Sequence, residues 1–384
     1  MFHRVGDASG LSCLASLGLS GNVRARSIGY SIGITLFMTI AFIVGGTLFG
    51  AALLWLSCSR LEESTHQLAQ HYGIPDAVKG SVLLAIASSM PELMTALLAS
   101  HVHNDFELGV SAIIGSAIFN ILVIPAFSVY ARGRPLKANR DLVYREAQFY
   151  LVSVAVLMLI LSLSVIYGGI PPTVLADGKR IFTGEFTRFL AFFPLALYGL
   201  YLYIQFEEVK RQRDDHPRQD GINALKEWSI LAGCIVLILI GVESLLRVAI
   251  TLGELLQTPT FLWGMTIVAV ATSVPDTFVS VRASVMGRTE SSVSNVLGSN
   301  VFDLLVAVPL GVMLTGAIVV NFTQIVPMMA FLILATIAML VFMLRDMELS
   351  MREAHVMMIL YVGFGIWMTL EAFGVTDLLG VRLG

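Results

Sequence analysis

The chain has 384 residues, 56% hydrophobic and 13% charged, with a mean hydropathy of +0.81 and a formal net charge of −3. Soluble domains carry roughly a quarter charged residues, so a single large soluble core is excluded. The slightly acidic balance also offers nucleic acid no basic surface.

In chain order, residues 1–28 lack a basic start, a long apolar run and a small-residue cleavage site, so they read as a loosely ordered tail and not a signal peptide. Apolar stretches long enough to cross a bilayer as helices follow near 29–58, 74–101, 106–131, 146–168 and 187–206. The segment 207–226 is polar and charged and reads as a cytoplasmic linker. Five more stretches follow near 227–252, 260–286, 291–315, 322–344 and 354–375. The expected organisation is therefore a tail, a five-helix half over 29–206, the linker, and a second five-helix half over 227–384. Of the three cysteines, Cys58 and Cys234 read as small apolar residues within spans, and with Cys13 they give no disulfide or metal-ligand spacing. Gly46 and Gly50 form a GxxxG, by itself weak grounds for dimerisation. His101 and His103 read as solvated residues of a short outer loop. Glu62, Glu63 and Glu254 read as charges at span ends.

Basic residues set the orientation. Threading ten spans places seven Lys and Arg on the side of the N-terminus and sixteen on the other, from the total of 24. Only Arg247 is left out of both counts, deep in its span, with Glu243 one turn earlier as its expected mate. The richer side is expected to be cytoplasmic, with both termini outside the cell.

The chain repeats itself. Ala85-Ile86-Ala87-Ser88-Ser89-Met90-Pro91-Glu92 matches Ala269-Val270-Ala271-Thr272-Ser273-Val274-Pro275-Asp276. Ile114-Gly115-Ser116-Ala117-Ile118-Phe119-Asn120 matches Leu297-Gly298-Ser299-Asn300-Val301-Phe302-Asp303. The offset is 184 residues for Glu92 and Asp276 and 183 for Asn120 and Asp303. Two matches at nearly constant offset imply a duplication. Five spans per half, an odd number, would insert the second half upside down, so the predicted fold is an all-α integral membrane protein of about ten helices in two inverted five-helix repeats.

Pro91 and Pro275 each remove a backbone donor inside an apolar span and free carbonyls of the preceding turn. Ser88, Ser89, Thr272 and Ser273 supply hydroxyls at the same level, and Glu92 and Asp276 follow the prolines directly. Asn120 and Asp303 lie one helical turn after Ser116 and Ser299 and share a face with them. These are all hard oxygen donors, suited to Ca²⁺, which takes six to eight oxygens, and to Na⁺; thiol and imidazole, the usual donors of zinc sites, are missing from the motifs. A carboxylate at the bilayer centre costs about 2.5–3.5 kcal/mol on insertion scales. Three acids with few basic neighbours make a bound cation the natural compensation. The prolines and Gly115 and Gly298 also admit a packing role alone, and Asn120 admits an interhelical hydrogen bond.

On these two motifs the chain resembles the sodium/calcium exchanger family and its alpha repeats, within the cation/Ca²⁺ exchanger superfamily. The resemblance is close over residues 74–130 and 260–315 and rests elsewhere on the number and order of spans. It implies that Glu92 and Asp276 bind Ca²⁺ most directly. Ser88, Ser89, Thr272, Ser273, Ser116 and Ser299, with the carbonyls of Ala85 and Ala269, would complete Na⁺ and Ca²⁺ sites, and Asn120 and Asp303 would line the centre. Ala87 and Ala271 replace the glycine that opens the family motif, and the paired acids differ, Glu in one half and Asp in the other. The expected function is Ca²⁺/Na⁺ antiport by a monomer in the cell membrane, with no enzymatic activity, no cofactor and no nucleic-acid partner. Asp303 leaves K⁺ dependence open. H⁺/Ca²⁺ exchange on the same fold is a further alternative, though its usual Gly-Asn-x-x-Glu form is absent. No HExxH or P-loop sequence occurs, so an ion gradient must drive transport.

Overall fold

Inside a bilayer the backbone has no water to bond, and a helix satisfies its polar groups within one segment. The long apolar runs fold accordingly. The computed structural model describes residues 21–73, 83–174, 180–211 and 223–376. Residues 1–46 and 47–384 form separate compact units. Of the first, the described part is the start of helix α1 (Gly21–His71), where Phe37, Met38, Ile40, Phe42 and Val44 are exposed.

The second unit continues through α2 (Leu84–Ser88), α3 (Met90–His101), α4 (Phe106–Arg132), α5 (Arg140–Tyr167), α6 (Arg188–Arg211) and α7 (Ala224–Leu256). A composite segment follows: α8 (Thr260–Trp263), a π-helical stretch Gly264–Val268, α9 (Ala269–Thr272) and α10 (Val274–Val285). Then come α11 (Thr289–Phe302), a second π stretch Asp303–Ala307, α12 (Val308–Thr315), α13 (Phe322–Asp346) and α14 (Met351–Ala372). Among the described residues, eight helical spans are long and apolar enough to cross a membrane, and nine if the bent pair Thr260–Thr272 and Val274–Val285 is one crossing. The chain is thus a multi-pass, all-α integral membrane protein. The expected tenth span falls on α2 and α3, two short helices next to residues 74–82, which lie outside the described residues.

The two halves place their most buried helices at the centre. In α4, 94% of the most apolar stretch is buried, and in Thr289–Thr315, 89%, against 22% in α14. These two segments carry the Gly-Ser motifs, so the repeated residues sit where lipid cannot reach. The outer helices instead expose Leu159, Ile166, Phe189, Leu334, Ile359 and Ile366, as a lipid-facing surface requires. Caps set the boundaries: Asp105 accepts from Leu108 N at 3.0 Å to start α4, left-handed Gly133 (φ 65°) ends it, and Ser350 and Glu353 form a capping box on α14.

Two short clips join distant connections. β1 (Leu136–Lys137) pairs antiparallel with β6 (Glu348–Leu349), and β4 (Thr183–Phe186) pairs with β5 (Ile318–Asn321). A third pair, β2 (Thr173–Val174) with β3 (Arg180–Ile181), is local to one connection. Six crossings separate β1 from β6 if each composite segment counts as one, and four separate β4 from β5. Both numbers are even, as strands on a common membrane face demand.

The structure corrects several expectations. The tail gives way to helix by Gly21 and not at residue 29, while residues 1–20, with Cys13, lie outside the described residues. The first span extends past residue 58 to His71, so Glu62 lies within the helix, half-buried and away from its end. Helix runs into both ends of the expected linker 207–226, since α6 reaches Arg211 and α7 starts at Ala224; residues 212–222 lie outside the described residues. His103 is not merely solvated. Its Nε2 lies 2.8 Å from Glu243 Oε2, and Glu243 Oε1 accepts from Arg247 Nε at 2.7 Å. Gly50 serves packing within the chain, since a methyl there would meet Leu245 Cγ at 2.8 Å and the Gly241 carbonyl at 2.9 Å.

Candidate cation site

Proline sets the local backbone of both acid motifs. Pro91 and Pro275 occupy the first turn of α3 and α10, where a missing N–H is tolerated. Each helix breaks one residue before that turn begins, at Ser89 (φ −88°, ψ 9°) and Ser273 (φ −78°, ψ −2°), and the second break bends the path by 42°. Glu92 and Asp276 therefore stand in the first turn of a helix, where the helix dipole favours negative charge. Ala85 and Ala269 lie one turn before the breaks. The Ala85 carbonyl accepts from Ser89 N at 3.1 Å and Ser88 Oγ at 3.2 Å. The Ala269 carbonyl accepts from Ser273 N at 3.1 Å, Ser273 Oγ at 2.8 Å and Thr272 Oγ1 at 3.2 Å.

The acids are served by hydroxyls from both halves of the chain. Ser116 Oγ donates to Glu92 Oε1 at 3.0 Å, and Ser299 Oγ donates to Asp276 Oδ1 at 3.2 Å. Thr272 stands beside Glu92, and Ser88 beside Asp276. Each acid thus meets one hydroxyl from its own half and one from the other, at matching positions of the duplicated motif. The hydroxyls also meet each other, Ser116 Oγ with Ser273 Oγ at 2.8 Å and Ser88 Oγ with Ser299 Oγ at 3.4 Å. Every one of the predicted site residues is buried, with Glu92 1% exposed and Asp276, Asn120 and Asp303 0%.

The match between halves fails at several places, and at one of them chemistry explains the difference. Asn120 Nδ2 donates to Asp276 Oδ2 at 3.1 Å. Its counterpart in the second half is Asp303, and an ionised carboxylate has no hydrogen to donate. Glu92 Oε2 is accordingly buried without a hydrogen-bond partner, as are both oxygens of Asp303, Asn120 Oδ1 and Ser89 Oγ, which stands beside Asp303. Buried polar atoms are rarely left unpaired. Here five oxygens drawn from the predicted site are unpaired together, and two of the residues that own them are acids. A cation would satisfy them. Among the described residues no three acids, histidines or cysteines converge to hold a metal on their own; the oxygens between the acids come from hydroxyls and amides.

Two residues escaped the sequence reading. Asn300 Oδ1 accepts from Asn120 Nδ2 at 3.1 Å, while its own Nδ2 donates to the Ala117 carbonyl at 3.2 Å. Asn295 Nδ2 donates to Ser280 Oγ at 3.1 Å next to Asp276. The available signal was an amide inside an apolar helix, at 300 within the repeated motif itself.

The chain matches the sodium/calcium exchanger protein family over residues 42–207 and 226–370. It is 27% identical over 276 residues to the inner membrane protein YrbG of Escherichia coli (strain K12), covering 69% of this chain and 78% of that protein. It is 24% identical over 359 residues to the sodium/calcium exchanger MaX1 of Methanosarcina acetivorans, covering 85% of this chain and 98% of that one. A solved structure of the sodium-calcium exchanger NCX_Mj shares the fold with a TM-score of 0.56 at 21% identity, over 84% of this chain and 97% of that one.

Proposed function

Because the chain belongs to the sodium/calcium exchanger protein family, we propose that it is a gradient-driven antiporter, not an enzyme, that exchanges Ca²⁺ for Na⁺ by alternating access. The observation that carries this reading is the crossed pair of acids, Glu92 with Ser116 and Thr272, and Asp276 with Ser299 and Ser88, beside unpaired oxygens of Glu92, Ser89, Asn120 and Asp303. Ca²⁺ is the substrate such a cluster suits: two facing carboxylates balance its charge, and hydroxyls and an amide extend the oxygen set. Na⁺ uses the same neutral oxygens and one carboxylate at a time. Ligands shared in this way make occupancy by the two ions mutually exclusive, which is the physical root of exchange. Glu92 and Asp276 are the direct Ca²⁺ ligands. Ser88, Ser89, Ser116, Thr272, Ser273 and Ser299, with the Ala85 and Ala269 carbonyls, complete the Ca²⁺ and Na⁺ positions, while Asn120 and Asp303 line the centre.

The supporting architecture is ten spans in two inverted repeats over 29–206 and 227–384, working as a monomer in the cell membrane. The even parity between paired strands supports the part of this count that runs from α5 to α13. So does the exchange of roles between the clips: the connection carrying β1 corresponds to that carrying β5, and that of β4 to that of β6, so an inverted two-fold turns one clip into the other. The excess of Lys and Arg on the side of the α6–α7 connection supports extracellular termini. A K⁺-dependent form of the reaction has one observation in its favour, the two unpaired oxygens of Asp303. Uptake of radioactive Ca²⁺ into proteoliposomes under imposed Na⁺, K⁺ or H⁺ gradients separates the readings. An outward Na⁺ gradient alone drives uptake on the proposal. A requirement for K⁺ selects the second reading, and drive by H⁺ with no response to Na⁺ rejects both.

A further inference from the structure

A chain of hydrogen bonds with fixed ends determines which way the Asn120 amide faces. At one end, Asp276 Oδ2 is a carboxylate oxygen and accepts. At the other, the Ala117 carbonyl accepts from Asn300. Asn300 must therefore turn Nδ2 to Ala117 and Oδ1 to Asn120, and Asn120 must answer with Nδ2, which is also the atom that Asp276 requires. Both amide hydrogens of Asn120 are then used, and its Oδ1 is left buried and unpaired beside the acids. An amide orientation is properly assigned from its network, and here acceptors at both ends leave no second solution. Asn300 is itself held from behind. The buried Tyr150 hydroxyl of α5 stands next to it, and Thr336 Oγ1 of α13 lies 3.4 Å from that hydroxyl.

The relay exists on one side only. The residue matching Asn300 in the first half is Ala117, and the residue matching Asn120 in the second is Asp303. Among the described residues no amide relay fastens Asp303, which has only the Ser89 hydroxyl standing beside it.

We infer that Asn300, which is not itself among the ion ligands, is a positioning residue that locks the Asn120 amide oxygen toward the cation and so sets the preference for Ca²⁺ over Na⁺. The inference rests on the exchange reading. A ligand oriented beforehand favours the ion that demands more oxygens at once, which is Ca²⁺. Without Asn300, Asn120 keeps its bond to Asp276 but loses the second constraint on its rotation.

The test is Asn300→Ala in the full chain, read in proteoliposomes and by equilibrium Ca²⁺ binding to purified protein. The half-saturating Ca²⁺ concentration should rise roughly tenfold, the ratio that ~1.4 kcal/mol represents, while that for Na⁺ moves less than about threefold and maximal rate is retained. In an Asn120→Ala background the same substitution should add nothing, because its effect passes through Asn120. Asn300→Ser, which keeps a polar atom too short to reach both neighbours, carries the same expectation should the alanine variant fail to reach the membrane. Ca²⁺ affinity equal to wild type, or equal weakening of both ions, overturns the inference, as does full additivity with Asn120→Ala. Wild-type Ca²⁺ binding without Na⁺-driven transport would instead overturn the exchange reading alone, since the binding comparison still decides the role of Asn300.

Discussion

At the scale of single residues, formal charge decides most. Glu92 and Asp276 are each fully buried with hydroxyls for company and, among the described residues, no basic side chain bonded to them. Glu92→Gln or Asp276→Asn removes one of the charges that balance a divalent ion, and Ca²⁺ exchange should be abolished. Membrane insertion should survive, since losing a buried charge relieves an insertion cost; surface expression measured beside transport checks both parts. Ser89→Ala and Ser273→Ala each remove one neutral oxygen that water can replace, so a several-fold weakening of apparent Ca²⁺ affinity is expected in the same assay. Asp276→Glu should still bind Ca²⁺, with altered affinity, because it lengthens the arm without changing its charge. That these residues are buried and grouped together was legible in the sequence, because acids beside proline at repeated positions of apolar spans have no packing rationale. Asn300 was not legible. A lone amide in an apolar helix reads as an ordinary interhelical bond, and no spacing rule says which end of it faces which neighbour.

At the scale of elements, close contact of helices holds the site in register. A methyl on Gly115 would collide with the Met265 carbonyl and come within 2.8 Å of Ala269 Cβ. A carbonyl in a π stretch is backbone and cannot rotate away as a side chain can. Gly115→Ala should therefore cost about 1–3 kcal/mol and lower the midpoint of thermal unfolding in detergent. Gly199→Ala, where nothing lies within 4 Å, should leave it unchanged or slightly raised. Equal midpoints for the two variants would refute this packing account. The α6–α7 connection is too short to bury a core, so exchanging residues 212–222 for a neutral linker should leave the Ca²⁺ dependence of transport unaltered; loss of that dependence would assign the segment a sensing role. The spans were legible from their length and apolarity, and the breaks at Ser89 and Ser273 from proline. The β1–β6 and β4–β5 clips were not, because strands of two to four residues between partners more than 130 positions apart leave no periodicity to read. The extension of α1 to His71 was hidden by the charges from Arg60 onward, which end an apolar run without ending a helix.

At the scale of the whole molecule, the account requires two halves that face the membrane in opposite senses around one shared site. Basic connections should then be cytoplasmic. A cysteine near Arg134 or Arg213, in a chain freed of its own cysteines, should resist an impermeant thiol reagent applied outside intact cells, and one near Asp105 should react. The reverse pattern would invert the topology while leaving the site unchanged. The central claim, that the crossed acids couple Ca²⁺ to Na⁺, is tested most directly by one comparison: Ca²⁺ entry into Na⁺-loaded vesicles carrying the wild-type protein or Glu92→Gln at equal amounts of inserted protein. The account predicts entry that depends on the outward Na⁺ gradient for wild type and none above empty vesicles for Glu92→Gln. Entry by Glu92→Gln at the wild-type rate would contradict it.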